Sequence, residues 1–113
     1  MEGKIQPFKG SKEILIQVKW DARLRLRIFR ERGRGITGFV SQLELFFKNK
    51  WTPVMRYDTA HGFVHKDVYS LLGKQKRKER ISIKNLKEAV KYADRDLRKN
   101  YEEYIEKFKR DEL

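Results

Sequence analysis

One stretch concentrates the groups able to do chemistry: Arg56-Tyr57-Asp58-Thr59-Ala60-His61-Gly62-Phe63-Val64-His65-Lys66-Asp67-Val68-Tyr69. It holds both histidines of the chain, with two aspartates, two tyrosines and a glycine. Histidine is the side chain best suited to exchange a proton near neutral pH or to hold a metal. If the chain has an active site, it is expected here. Two imidazoles brought together can act as base and acid in phosphodiester cleavage, one activating a nucleophile and the other protonating the leaving oxygen. His61, His65, Asp58 and Tyr57 are the candidate catalytic residues, with Asp58 orienting the imidazoles. Arg56 and Lys66 would stabilise charge building on phosphorus.

On an extended strand His65 and Asp67 share a face, and His61 sits in the preceding turn. Two histidines and one aspartate would also make a three-ligand metal set with an open position. Their spacing matches no established zinc motif, and neither a metal nor another cofactor is expected. A purely structural reading exists beside both. Asp58 would hold a hairpin turn, Gly62 would supply a positive φ, and the histidines would be polar surface.

The elements that must position this stretch are read from hydrophobic periodicity. Ile14, Ile16, Val18 and Trp20 alternate on one strand face. Asp21 and Ala22 turn the chain into a second strand, Arg23 to Phe29, with Leu24, Leu26 and Ile28 inward and Arg23, Arg25 and Arg27 outward. A glycine- and arginine-rich loop follows. A third strand covers Phe39 to Phe47, with Gln42, Glu44 and Phe46 opposite Leu43, Leu45 and Phe47. Trp51 to Tyr57 and Phe63 to Tyr69 are the fourth and fifth. Leu86, Val90, Ala93, Leu97, Tyr101, Tyr104, Ile105 and Phe108 form one helical stripe, with Ser82 as the expected N-cap.

The expected fold is α+β, an antiparallel sheet of four to five strands packed on one long C-terminal helix. The expected organisation is a single domain: an irregular lead-in over residues 1–10, sheet over 11–70, a basic loop over 71–81, and helix over 82–111. A helix from Ile83 to Asp111 would be roughly 43 Å long, whereas strands of six or seven residues reach only about 20 Å. The stripe is thus expected to overhang the sheet. Tyr101, Tyr104, Ile105 and Phe108 would then be exposed for a homodimer or an acidic protein partner.

Composition narrows the possibilities. The 113 residues contain no cysteine, which excludes disulfides, thiolate zinc sites and cysteine nucleophiles. No apolar run is long enough to span a membrane. The first ten residues lack the apolar region of a signal peptide, so a cytoplasmic location is expected. The net charge of +12 is uneven: residues 1–82 hold 19 Lys and Arg against 8 Asp and Glu, and residues 83–113 hold 9 against 8. So local a surplus favours a polyanionic partner, nucleic acid first and RNA ahead of DNA. The high charged fraction also fits a thermophilic or archaeal surface. Arg23, Arg25 and Arg27 lie on one face with no acid among them, and a phosphate backbone would relieve their repulsion. Arg32, Arg34, Arg56, Lys66, Lys74, Lys76, Arg77, Lys78 and Arg80 complete the set expected to contact phosphates rather than read bases.

At Tyr57-Asp58-Thr59-Ala60-His61-Gly62, followed by His65, the chain resembles the TumE-type proteins of toxin–antitoxin pairs and related uncharacterised small archaeal families. Their hallmark is a Tyr-Asp-Asn-like turn, then His-Gly, a further His and a terminal helix. Thr59 stands where Asn is usual, and Asp67 where a third His is often seen. The resemblance implies a small partner-bound prokaryotic protein acting on or near nucleic acid. Two readings follow. One is a basic nucleic-acid-associated protein, the toxin-like RNA-binding or RNA-cleaving member of such a pair and, if it cleaves, a metal-independent ribonuclease. The other is a non-catalytic interaction module with a structural His-containing turn.

Overall fold

A computed structural model describes residues 9–59 and 62–113. Six strands, β1 (Lys9–Lys19), β2 (Ala22–Glu31), β3 (Gly35–Phe47), β4 (Lys50–Asp58), β5 (His65–Tyr69) and β6 (Gln75–Arg80), precede one helix, α1 (Leu86–Lys109). The strands form one sheet in sequence order, every neighbouring pair antiparallel. Tight turns make this meander possible. Lys48 and Asn49, with φ of 52° and 65°, both adopt the left-handed conformation that a two-residue hairpin needs to match strand twist. Gly38 permits a close approach: a Cβ there would lie 2.7 Å from Thr59 Oγ1, the atom that accepts the Phe39 amide.

The α+β class and the C-terminal helix are as expected; the strand count is not. The sixth strand is the segment read as a basic loop. Gln75–Arg80 carries no apolar alternation because all six of its residues are exposed at the sheet edge. Periodicity reports burial, and a strand that buries nothing leaves no such trace. Charged side chains on an edge also discourage pairing with another sheet. Lys9 and Gly10, read as lead-in, belong to β1.

One sheet face is covered by α1. Leu24, Leu43, Leu45, Met55, Tyr57 and Val68 pack with Ala89, Ala93, Leu97, Ile105 and Phe108 into a single core. The helix starts later than expected. Asn85, not Ser82, is its N-cap, accepting the Glu88 amide on Oδ1 at 3.0 Å. Ile81, between β6 and the helix, donates its amide to the Val64 carbonyl at 2.9 Å.

The expected overhang does not occur. Ile105 and Phe108 are buried, and the Tyr101 hydroxyl donates to the Val18 carbonyl. The strands are longer than periodicity indicated. The 13 residues of β3 reach about 43 Å, enough to underlie the 24 residues of α1 at about 36 Å. At the other edge, Trp20 is 81% exposed and Ile14 36%, although their alternation placed them inward. They lie at or beside β1, the edge strand among the described residues.

Candidate functional site

The sheet face away from α1 is polar, and its side chains satisfy one another. Register sets Leu15, Arg25, Gln42, Arg56, Asp67 and Lys78 in one row across all six strands. Glu13, Arg27, Val40, Asp58, His65 and Arg80 form the next. Arg23 Nε donates to Glu44 Oε1 at 2.7 Å and Arg25 Nε to Glu44 Oε2 at 3.0 Å. Glu13 accepts from Arg25 and Arg27 at 3.0 and 3.2 Å. Burial alone would push the Glu44 carboxyl up, but hydrogen bonds from Arg23, Gln42 and Arg25 hold it below the usual carboxylate range. The three arginines are thus balanced by carboxylates from the strands on either side. Arg56 Nε is likewise taken by Gln42 Oε1 at 2.7 Å. The acid that pairs Arg23 and Arg25 was visible in the sequence: Glu44 alternates onto this same face.

Within this face lies the histidine cluster. Asp58 and His65 are direct cross-strand partners of β4 and β5. His65 Nε2 lies 2.7 Å from Asp58 Oδ1 and 3.7 Å from Asp67 Oδ2. Its Nδ1 faces the Phe63 carbonyl at 3.4 Å. All three side chains are buried, His65 with only 1% of its surface exposed. Phe63 packs beside His65, and the Arg80 guanidinium lies 4.7 Å above the Phe63 ring. Asp67 Oδ1 is buried without a hydrogen-bond partner. Gly62 has φ of 82°, as the structural reading of the turn required. His61 lies outside the described residues.

Tyr57 is not part of this cluster. Strand alternation turns it to the helix side, where its hydroxyl donates to Asp96 Oδ2 at 2.5 Å. Tyr104 and Asn100 donate to Asp96 Oδ1 at 2.6 and 2.7 Å, and Lys66 Nζ lies 3.6 Å from Oδ2. Burial and the Asp96 carboxylate push both tyrosine hydroxyls well above their ordinary range. Burial would raise Asp96, yet the Tyr104, Tyr57 and Asn100 hydrogen bonds and the Lys66 charge hold it low. Tyr57 and Lys66 therefore tie helix to sheet.

A group of basic residues gathers elsewhere, at the end of the sheet where the β2–β3 hairpin, the β4–β5 connection and the start of α1 meet. Two clefts adjoin there, both bordered by Leu86. One, about 410 Å3, is lined by Thr59, Gly62, Phe63, Arg80 and Lys84 among others. The second, about 450 Å3, is lined by Arg30, Arg34, Asn85 and Lys87 among others. Arg30, Arg32, Arg80, Lys84 and Lys87 are exposed. Arg34 pairs with Glu31 at 2.8 Å; the other five make no ion pair among the described residues. Lys84 and Lys87 were missed by the sequence reading because the helix start was placed too early. The Asn85 cap with Glu88 three residues on was the available signal. Of the remaining candidates, Lys74 precedes β6, Lys78 is exposed on it, Lys76 reaches Asp111 at 3.4 Å, and Arg77 pairs with Glu79 at 3.0 Å.

No curated protein and no solved structure matches this chain. The family described as a domain of unknown function, DUF7718, matches residues 9–113, which span every strand and the helix, and the chain belongs to that family.

Proposed function

We propose that this chain binds nucleic acid, preferring single-stranded RNA, through phosphate contacts at the cationic end of its sheet. The observation that carries this reading is the convergence of Arg30, Arg34, Arg80, Lys84 and Lys87 on two adjoining clefts. Cations from two stretches far apart in the chain, residues 30–34 and 80–87, meet there, and of the five only Arg34 pairs with an acid, Glu31, among the described residues. Exposed cations without carboxylate partners are what a phosphate backbone exchanges for its counterions. Phe63, which lines the first of these clefts beneath Arg80, adds a flat apolar surface of the kind on which unpaired bases stack. Contact of this type reads charge and shape rather than sequence.

Binding without cleavage is the favoured form. His65 is sealed from solvent, and the Tyr57 hydroxyl is committed to Asp96 on the far side of the sheet. A toxin-like role would then act by sequestering RNA. The test is a fluorescence-anisotropy titration of single-stranded RNA and duplex DNA at about 50 and 200 mM salt, with a gel of the same samples. Affinity that falls steeply with salt, with intact RNA on the gel, is the expected result. Salt-independent binding or none overturns the proposal and moves the weight to an acidic protein partner. Cleaved RNA overturns the non-catalytic form and turns attention to His61.

A further inference from the structure

We infer that Asp58, His65 and Asp67 form a buried site for one divalent first-row transition cation of the Zn2+ or Mn2+ class. The three ligand atoms lie within 4.8 Å of one another. The donor set is one imidazole nitrogen and two carboxylates, which suits such ions. Ligand atoms bound at about 2.1 Å to one ion sit roughly 3.0–3.4 Å apart. The two His65 separations, 2.7 Å to Asp58 and 3.7 Å to Asp67, bracket that range. Small side-chain rotations are enough to close on a cation, which takes the place of the proton between Nε2 and Oδ1.

A second observation points the same way. Asp67 is 4% exposed, and its Oδ1 has no hydrogen-bond partner. A buried, unsatisfied carboxylate oxygen is costly. The obvious protein partner is Arg56, its cross-strand neighbour, but that side chain gives its Nε to Gln42 and makes no ion pair with Asp67 among the described residues. A divalent cation would satisfy the orphan oxygen and neutralise both carboxylates at once. Because all three ligands sit on β4 and β5, the ion would clamp the hairpin whose connection lines the cleft beside Phe63 and Arg80. With His65 closed to solvent, its role is structural. The inference stands independently of nucleic-acid binding.

The test begins with chelator-treated protein, followed by thermal melts with and without Zn2+ or Mn2+, and a Co2+ titration read by visible absorption. Saturating metal is expected to raise Tm on the order of 10 °C, and Co2+ to give a low-coordinate visible spectrum. Asp67→Asn, and independently Asp58→Asn, should each lose both signals, with Co2+ affinity down at least tenfold on the order expected for a missing ligand. A wild-type protein with neither a Tm shift nor a Co2+ spectrum overturns the site, leaving an ion triad only. Equal shifts in wild type and both variants place the ion elsewhere and overturn it as well.

Discussion

Two arginine triplets lie within a dozen residues of each other and read alike. Arg23, Arg25 and Arg27 alternate along β2; Arg30, Arg32 and Arg34 alternate at the hairpin that ends it. The first triplet is matched across the sheet by Glu44 and Glu13. The second stands at a tip with one acid within reach of Arg34. Spacing along a strand therefore does not tell whether a charge is available to a partner. The cross-strand neighbour decides it, because side chains directly opposite in register are closer than i and i+2 positions on one strand. The proposed binding surface moves accordingly from the face of the sheet to its end.

The strongest way to break this contrast is to remove the acid. Glu44→Ala leaves Arg23 and Arg25 facing a vacancy in a largely buried position. It should cost about 3 kcal/mol in urea unfolding. Equal stability of variant and wild type would mean that the ladder does not hold the face together. Charge reversal of Arg30 and Arg34 to Glu comes next. It should weaken RNA binding roughly thirtyfold and lower the salt dependence by about 1.4, with little change in Tm. The same reversal at Arg23 and Arg25 should unfold the protein before it reports on binding.

A smaller effect is expected on the other face. Tyr57→Phe deletes one of the hydrogen bonds into Asp96 and should cost about 1.5 kcal/mol, leaving RNA affinity unchanged. Loss of RNA affinity in this stable variant would return Tyr57 to the functional site. The pH profile separates the same groups. Glu44 and Asp96 are held below their ordinary values, so the stability they contribute is present above the normal carboxylate range and is lost as pH falls through their lower folded values. Tyr57 and Tyr104 are raised from 10.0. Their contribution is complete below that value and is lost as pH rises beyond it. Melting curves from pH 2 to 11 should show both limbs, with the alkaline limb shallower in Tyr57→Phe. The smallest effect belongs to Arg32→Ala. It should shift Tm by less than about 3 °C and weaken RNA binding only a few-fold.

Much of the fold was legible. Leu24, Leu43, Leu45, Ala93 and Leu97 were placed in the core by periodicity alone. Asp58, His65 and Gly62 were singled out as one turn region, and two of them meet across β4 and β5. Three features were not legible, each for a physical reason. β6 buries no side chain, so it carries no alternation. Ile14 and Trp20 alternate inward on paper, yet they stand at a sheet edge that the core does not reach. Tyr57 neighbours Asp58 in sequence, but adjacent strand residues point to opposite faces. A motif read as one site is thereby split by the sheet into two.

By itself the sequence determined the α+β class, the identity of the core stripe on α1, and a cationic surplus that lies almost wholly in residues 1–82. These are properties of local periodicity and composition, which need no partner to be read. Only the tertiary structure decided which cations are already neutralised and which acids surround His65. It also decided that Lys84 and Lys87 join Arg30, Arg34 and Arg80 at one end of the molecule. Those outcomes depend on strand register and on where the helix begins. Electrostatic interaction falls with distance in space, and distance along the chain does not measure it.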